Sequence, residues 1–298
     1  MKNGRLIYLI SLLITIFAKQ GYSVELAETK VPVGLPADSS IVYVAIITQP
    51  NRAFGKILKD EDFYKKNSSV AASYSKYVES SSAQPLLIPW DLPWPEMVKV
   101  LKQTHGMMLP GGGYDIYNQD GDPYNQKISK IIDWATQRNK DGYIFFIFAI
   151  CQGLNQMLIK LANNDPNIVE TDQFNDHGAH PIKLESEKDQ KNGFENFAIG
   201  YNKSILEFFA KSSAMYSHND GLSKDKYLLN PMIRDQTTLL GTSTTSDHQK
   251  FVSILQANEY PYLMVQFHPE KTQFENKAKK NFLADHSTEA DRGVSRIM

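Results

Sequence analysis

The chain has 298 residues, a formal net charge of −1, and 42 % apolar residues. That length suits one large α/β domain with a sizeable core. The balanced charge gives no basic surface for nucleic acid and no acidic block that would stay unfolded.

At the N-terminus, Lys2 and Arg5 precede an apolar run from Leu6 to Ala18 that is broken only by Ser11 and Thr15. A spanning helix needs roughly 20 apolar residues. The shorter run, with its basic start and small residues near Ser23, predicts a signal peptide over residues 1–23. One domain is then expected over 24–298, secreted or delivered to a lysosome or vacuole lumen, with no membrane contact after cleavage. Asn67-Ser68-Ser69 and Asn202-Lys203-Ser204 are acceptor triplets that mark Asn67 and Asn202 as candidate N-glycosylation sites in an exported chain.

Ile41 to Ile47 is a continuous apolar run ending at Thr48-Gln49-Pro50, the pattern of a buried parallel strand. Val70 to Ser81 has helical spacing, with Tyr74, Tyr77 and Val78 on one face. Pro85 to Pro89 reads as a strand and Trp94 to Gln103 as a helix. A strand at Gly106 to Leu109 is closed by Pro110-Gly111-Gly112-Gly113. A helix over Gln126 to Arg138, a strand over Tyr143 to Ile150 and a helix over Leu154 to Ala162 follow. Alternating strand and helix with short connections predicts a mainly parallel central sheet with helices on both faces. Asp172 to Asn192 is polar and irregular. Leu239 to Thr245, Phe251 to Ala257 and Tyr262 to Phe267 read as strands, expected to be antiparallel neighbours at one side of the sheet.

Cys151 is the sole cysteine, so the chain makes no internal disulfide. It can be an inert core residue, a partner for another chain, or a nucleophile. It stands where a buried strand turns into a helix, and that sharp corner projects a side chain from the sheet's carboxyl edge. Small residues are expected two places either side, here Ala149 and Gly153. The following helix adds a positive N-terminal end that favours a thiolate. The Gln152 amide is then a candidate oxyanion donor. Gln266-Phe267-His268-Pro269-Glu270 delivers His268 at a strand end, with Glu270 able to orient its ring. Gly111 and Gly112 let backbone amides approach a ligand and offer a second oxyanion donor. Each motif alone has a bland alternative: a core thiol, an exposed strand end, a flexible turn. Together they end predicted strands on one edge of a parallel sheet, where α/β proteins hold their sites.

Ile46-Ile47-Thr48-Gln49, Ala71 to Ser80, Leu109-Pro110-Gly111-Gly112, Cys151-Gln152-Gly153 and Gln266 to Lys271 follow in order along the chain. In these stretches the sequence resembles the γ-glutamyl hydrolases of the class I glutamine amidotransferase-like group. The resemblance implies a flavodoxin-like α/β fold, no cofactor, and a thiol hydrolase with Cys151 as nucleophile, His268 as base and Glu270 in the acidic place. It implies cleavage of γ-glutamyl amide bonds through a thioester, with folate or antifolate poly-γ-glutamates as substrates. Within Ser217 to Ser223, it marks His218 as a further active-site histidine. Lys76 and Arg52 are candidate cations for substrate carboxylates, and a homodimer is allowed. Two departures stand out: Ala149 replaces a usual glycine, and the C-terminal helix is short. The competing readings are a glutaminase or other amidase on the same fold, and a degenerate relative that only binds.

Overall fold

The structure, a computed structural model, describes residues 41–50, 68–185 and 213–275. The expected signal peptide, Asn67, Asn202, Arg52 and the C-terminal helix lie outside these residues.

The first half alternates as expected. β1 (Tyr43–Ile47) is followed by the short β2 (Gln49–Pro50) and β3 (Ser68–Ser69), which pair with each other. Then come α1 (Ala72–Ser80), β4 (Gln84–Ile88), α2 (Trp94–Leu101), β5 (Gly106–Leu109), α3 (Pro123–Lys140), β6 (Phe146–Ile150) and α4 (Gln152–Leu161). The second half contributes β7 (Ala179–Pro181), β8 (Lys183–Leu184), β9 (Ser213–Met215), α5 (Lys224–Leu229) and α6 (Pro231–Arg234). The last described elements are β10 (Thr237–Thr244), β11 (Lys250–Ala257), β12 (Tyr262–Val265) and α7 (Pro269–Phe274).

Eight strands form the central sheet in the order β4-β1-β5-β6-β12-β11-β10-β8. The first five are mutually parallel, and β11, β10 and β8 continue antiparallel. β12 therefore differs from its expected place: it is antiparallel to β11 but parallel to β6, and joins the two halves.

Strand side chains alternate between faces. Ala45, Ile47, Met107, Leu109, Ile147 and Ala149 pack with Met97, Leu101, Ile128, Ile131, Ile132, Leu154 and Leu158 from α2, α3 and α4. Val44, Ile46, Met108, Phe148 and Ile150 face the other way, against Tyr74, Tyr77 and Val78 of α1. Both faces are covered, which is why these strands read as unbroken apolar runs.

Several element ends differ from expectation for local reasons. α3 starts three residues early because the Asp122 side chain accepts hydrogen bonds from the Tyr124 and Asn125 amides, with Pro123 in the first turn. Such a cap contributes about 1 kcal/mol, and Pro is well suited to this position. β6 starts at Phe146, not Tyr143, since Tyr143 and Ile144 are exposed and Asn139 takes up both backbone groups of Phe145. Within the polar segment after Asp172, β7 pairs with β9 and β8 joins the sheet edge beside β10. These strands are two or three residues long, too short for periodicity to reveal.

Candidate active site

β6 and β12 are adjacent and parallel, paired from Tyr262↔Ile147 to Val265↔Ile150. Their carboxyl ends therefore deliver Cys151 and His268 to one point on the sheet edge, although the two residues are 117 apart in sequence. Cys151 has φ 51° and ψ −109°, the left-handed strained corner expected of a nucleophile between strand and helix. Its amide donates to the Val265 carbonyl at 2.7 Å, which ties the corner to β12. A side chain at Gly153 would collide with the Leu109 carbonyl oxygen, so the small residue expected there is needed. Ala149 is small as well. Its methyl is fully buried in the core with Leu109 and Leu154, and the corner accommodates it.

His268 caps α7, and its Nδ1 lies 2.7 Å from Glu270 Oε1, both side chains buried. Nε2 is left free of that contact, and the Cys151 sulfur is near enough to raise the ring's pKa. Burial lowers the His268 pKa, but the Glu270 carboxylate and the Cys151 sulfur outweigh it and push the value up to about 10. The imidazolium is thus the stable form at neutral pH, the partner a thiolate requires. Cys151 Sγ is also 3.8 Å from the Ser217 carbonyl oxygen, a weak hydrogen bond when the sulfur is protonated.

A cavity of about 320 Å³ opens at this point, lined in part by Gln49, Tyr74, Gly111, Gly112, Cys151, Ser217, His268 and Lys271. Gly111 sits where a Cβ would lie 2.7 Å from His268 Cε1, 2.8 Å from the Tyr74 hydroxyl and 3.1 Å from Cys151 Cβ, so only glycine fits. Its N–H donates to the Tyr74 hydroxyl at 2.8 Å. Gln49 lies against Gly112 and donates from Nε2 to Gln152 Oε1 at 3.1 Å. Gln152 in turn donates to the Tyr114 carbonyl at 2.6 Å. As the first residue of α4, Gln152 has a backbone amide with no intrahelical acceptor, directed at the helix mouth beside Cys151.

The structure thus brings together Cys151, His268, Glu270, Gly111, Gly112 and Gln152. His218 is the exception, because its ring is not on the cavity wall. It packs among Phe174, Tyr216 and Phe251, shares its Nδ1 with the Asp220 carbonyl at 3.0 Å, and has Nε2 4.0 Å from Asp176 Oδ2. Burial depresses its pKa to about 4, so the ring is neutral. It is the preceding residue, Ser217, that reaches the thiol. Lys76 is exposed on α1 and does not line the cavity. Sequence reasoning gave no role to Tyr74, Gln49, Ser217 or Lys271. Three of these lie in the stretches that carried the resemblance, which was the available signal.

The family model for class-I glutamine amidotransferases matches residues 62–286, and the chain belongs to that family. Within it, the expected likeness to γ-glutamyl hydrolases is borne out. The chain is 24 % identical over 247 residues to γ-glutamyl hydrolase B of Dictyostelium discoideum, covering 83 % of this chain and 67 % of that one. It is 25 % identical over 248 residues to γ-glutamyl hydrolase 1 of Arabidopsis thaliana, covering 82 % and 68 %. It is 26 % identical over 235 residues to the γ-glutamyl hydrolase of Homo sapiens, covering 78 % and 69 %. Among solved structures, a GMP synthase component from Thermoplasma acidophilum has the same fold, with TM-score 0.51 and 15 % identity, covering 86 % of this chain and 92 % of that one.

Proposed function

We propose that the chain is a cysteine hydrolase that cleaves γ-glutamyl amide bonds, with folate poly-γ-glutamates or related conjugates as substrates. The observation that carries this reading is Cys151 on a strained corner, facing a His268–Glu270 pair at the head of a cavity. The γ-glutamyl hydrolase relatives supply the substrate class.

In the first step the Cys151 thiolate attacks the γ-carbonyl carbon. The developing oxyanion is held by the backbone amides of Gly112 and Gln152. As the carbon–nitrogen bond breaks, His268 gives its proton to the leaving amine, and a thioester remains. Neutral His268 then takes a proton from water, the resulting nucleophile attacks the thioester, and the thiolate and free γ-carboxylate are released. Glu270 holds the ring in the required orientation throughout and does not transfer a proton. Residues 1–23 are read as an export signal, which fits an activity outside the cell or in a lysosome or vacuole lumen.

Release of glutamate from a γ-linked diglutamyl folate, compared with ammonia release from free glutamine, tests this. Turnover of the folate conjugate with little glutamine cleavage is expected. Preferential glutamine cleavage would make the chain a glutaminase, and no turnover of either would make it a binding protein.

A further inference from the structure

The turn from Pro110 to Tyr114 follows β5, has no regular secondary structure, and borders Cys151 at Gly111. Side chains hold it. At its far end the Gln152 carboxamide takes both backbone groups of Tyr114: Oε1 accepts from the amide at 3.3 Å and Nε2 donates to the carbonyl at 2.6 Å. At its near end Gln49 Nε2 donates to Gln152 Oε1 at 3.1 Å and faces the Pro110 carbonyl at 3.5 Å. A carboxamide nitrogen has two hydrogens, one for each acceptor. Between these ends, a Cβ on Gly112 would fall 1.9 Å from Gln49 Oε1 and 2.7 Å from its Cδ, so the Gln49 carboxamide stands directly behind Gly112. Gln49 is itself fixed from outside the turn. The Thr48 amide donates to the Ile88 carbonyl at 2.9 Å, and β2 pairs Gln49 with Ser69.

We propose that Gln49 is a positioning residue: with the Gln152 side chain it clasps the glycine turn to the head of α4 and sets the spacing of the Gly112 and Gln152 backbone amides. This rests on the reading in which those two amides hold the oxyanion. Two donors act together only when both lie about 2.7–3.1 Å from the same oxygen. Here one comes from a turn and the other from a helix start, 40 residues apart in sequence. The hydrogen bond between the two glutamine side chains joins the sides of that gap. Both side chains are neutral, so the clasp adds no charge beside the thiolate and the developing oxyanion, and it does not titrate.

The test compares Gln49→Met, which keeps the length of the side chain and removes its polar group, with the wild type. Three measurements separate the oxyanion from the thiol. The first is turnover of a γ-glutamyl anilide. The second is inhibition by a γ-glutamyl aldehyde: the thiolate adds to its carbon, and the carbonyl oxygen takes the negative charge. The third is alkylation of Cys151 by iodoacetamide, which displaces iodide and develops no oxyanion. Gln49→Met is expected to lower kcat by about 10- to 100-fold, between one lost hydrogen bond and a whole lost oxyanion donor. Aldehyde affinity should fall by a similar factor. KM, the alkylation rate, the limbs of the pH profile and the melting temperature should change little. Gln152→Met, which keeps the backbone amide and opens the clasp from its other side, should reproduce this pattern, and it decides the matter if Gln49→Met fails to fold. The double variant should cost little more than the worse single change, because the two side chains act as a unit. Unchanged kcat and aldehyde affinity in folded Gln49→Met overturn the proposal and leave the hydrolase reading standing. An alkylation rate that falls in step with kcat also overturns it, because the defect then lies at the thiol. A wild type that neither turns over the anilide nor binds the aldehyde overturns both. If the wild type cleaves free glutamine in place of the anilide, the substrate reading falls and the same comparison on glutamine decides the clasp.

Discussion

The N–H of Gly111 donates to the hydroxyl of Tyr74 at 2.8 Å, so one glycine amide beside the nucleophile is already engaged before any substrate arrives. Burial, first of all, and then the nearby Glu270 and Cys151 charges hold the Tyr74 pKa well above its usual value, and the hydroxyl remains neutral. It accepts from the glycine turn and keeps its own proton for the anionic side of the site. Of the two adjacent glycines, that leaves Gly112 for the oxyanion-donor role proposed above.

Tyr74→Phe is expected to lower kcat by about tenfold, the size of one lost hydrogen bond in a buried setting. The Pro-Gly-Gly turn loses the acceptor that holds it against Cys151. KM should change less, because the ring still fills its place. Equal kcat in a folded variant would show that the Gly111 contact does not position the turn.

The elevated His268 pKa makes a signed prediction. A folded-state value raised from 6.5 to about 10 contributes stability that is fully present below about pH 6.5. That contribution is lost as pH rises toward 10. Glu270→Gln removes the first of the two charges that raise the value, so urea melts should show a weaker decline between pH 7 and 10 than the wild type. The alkaline limb of kcat/KM should move to lower pH in the same variant. His268→Ala should cost at least ~10²-fold in rate. Identical alkaline limbs for wild type and Glu270→Gln would remove Glu270 from the assigned role.

His218 has the opposite sign. Burial depresses its pKa from 6.5 to about 4, so the unfolded chain takes up a proton before the folded chain does. Stability is full above about pH 6.5 and falls as pH drops toward 4, by up to roughly 3 kcal/mol. His218→Asn should flatten this acid limb in urea melts at pH 7 and 4.5. Equal slopes for the two proteins would mean that other groups set the acid sensitivity.

The residues two places either side of Cys151 should respond differently. Gly153→Ala forces a methyl into the Leu109 carbonyl and should abolish folding or lower the melting temperature by several degrees. Ala149→Gly should leave kcat unchanged where the protein is folded, while stability falls by about 0.5–1 kcal/mol. A loss of kcat in folded Ala149→Gly would show that the buried methyl supports the corner.

Much of the parallel half was legible because its strands are covered on both faces. Val44 to Ile47, Met107 to Leu109 and Ile147 to Ile150 are apolar without interruption, and each ends in a motif. Cys151, His268 and Glu270 were legible for the same reason, since strand ends in a parallel sheet share an edge. The direction of β12 was hidden, because an apolar four-residue strand looks alike whichever neighbour it pairs with. Gln49 and Lys271 were not marked as cavity residues from their stretches alone, because the fold sets which side chains line the cavity. The packing of His218 among Phe174, Tyr216 and Phe251 rests on contacts that only the fold makes.

β12 also fixes when the site can exist. Among the described residues it is the last strand of the sheet in sequence, yet it is inserted between β6 and β11 and alone links the parallel and antiparallel halves. A nascent chain that ends before Tyr262 carries a cysteine with no base, and a sheet in two unconnected pieces. Closing it requires a long-range pairing across more than a hundred residues, a slow kind of step. Cys151 therefore stays without His268 while the next 117 residues are made, and the two side chains meet only when the seam is sealed.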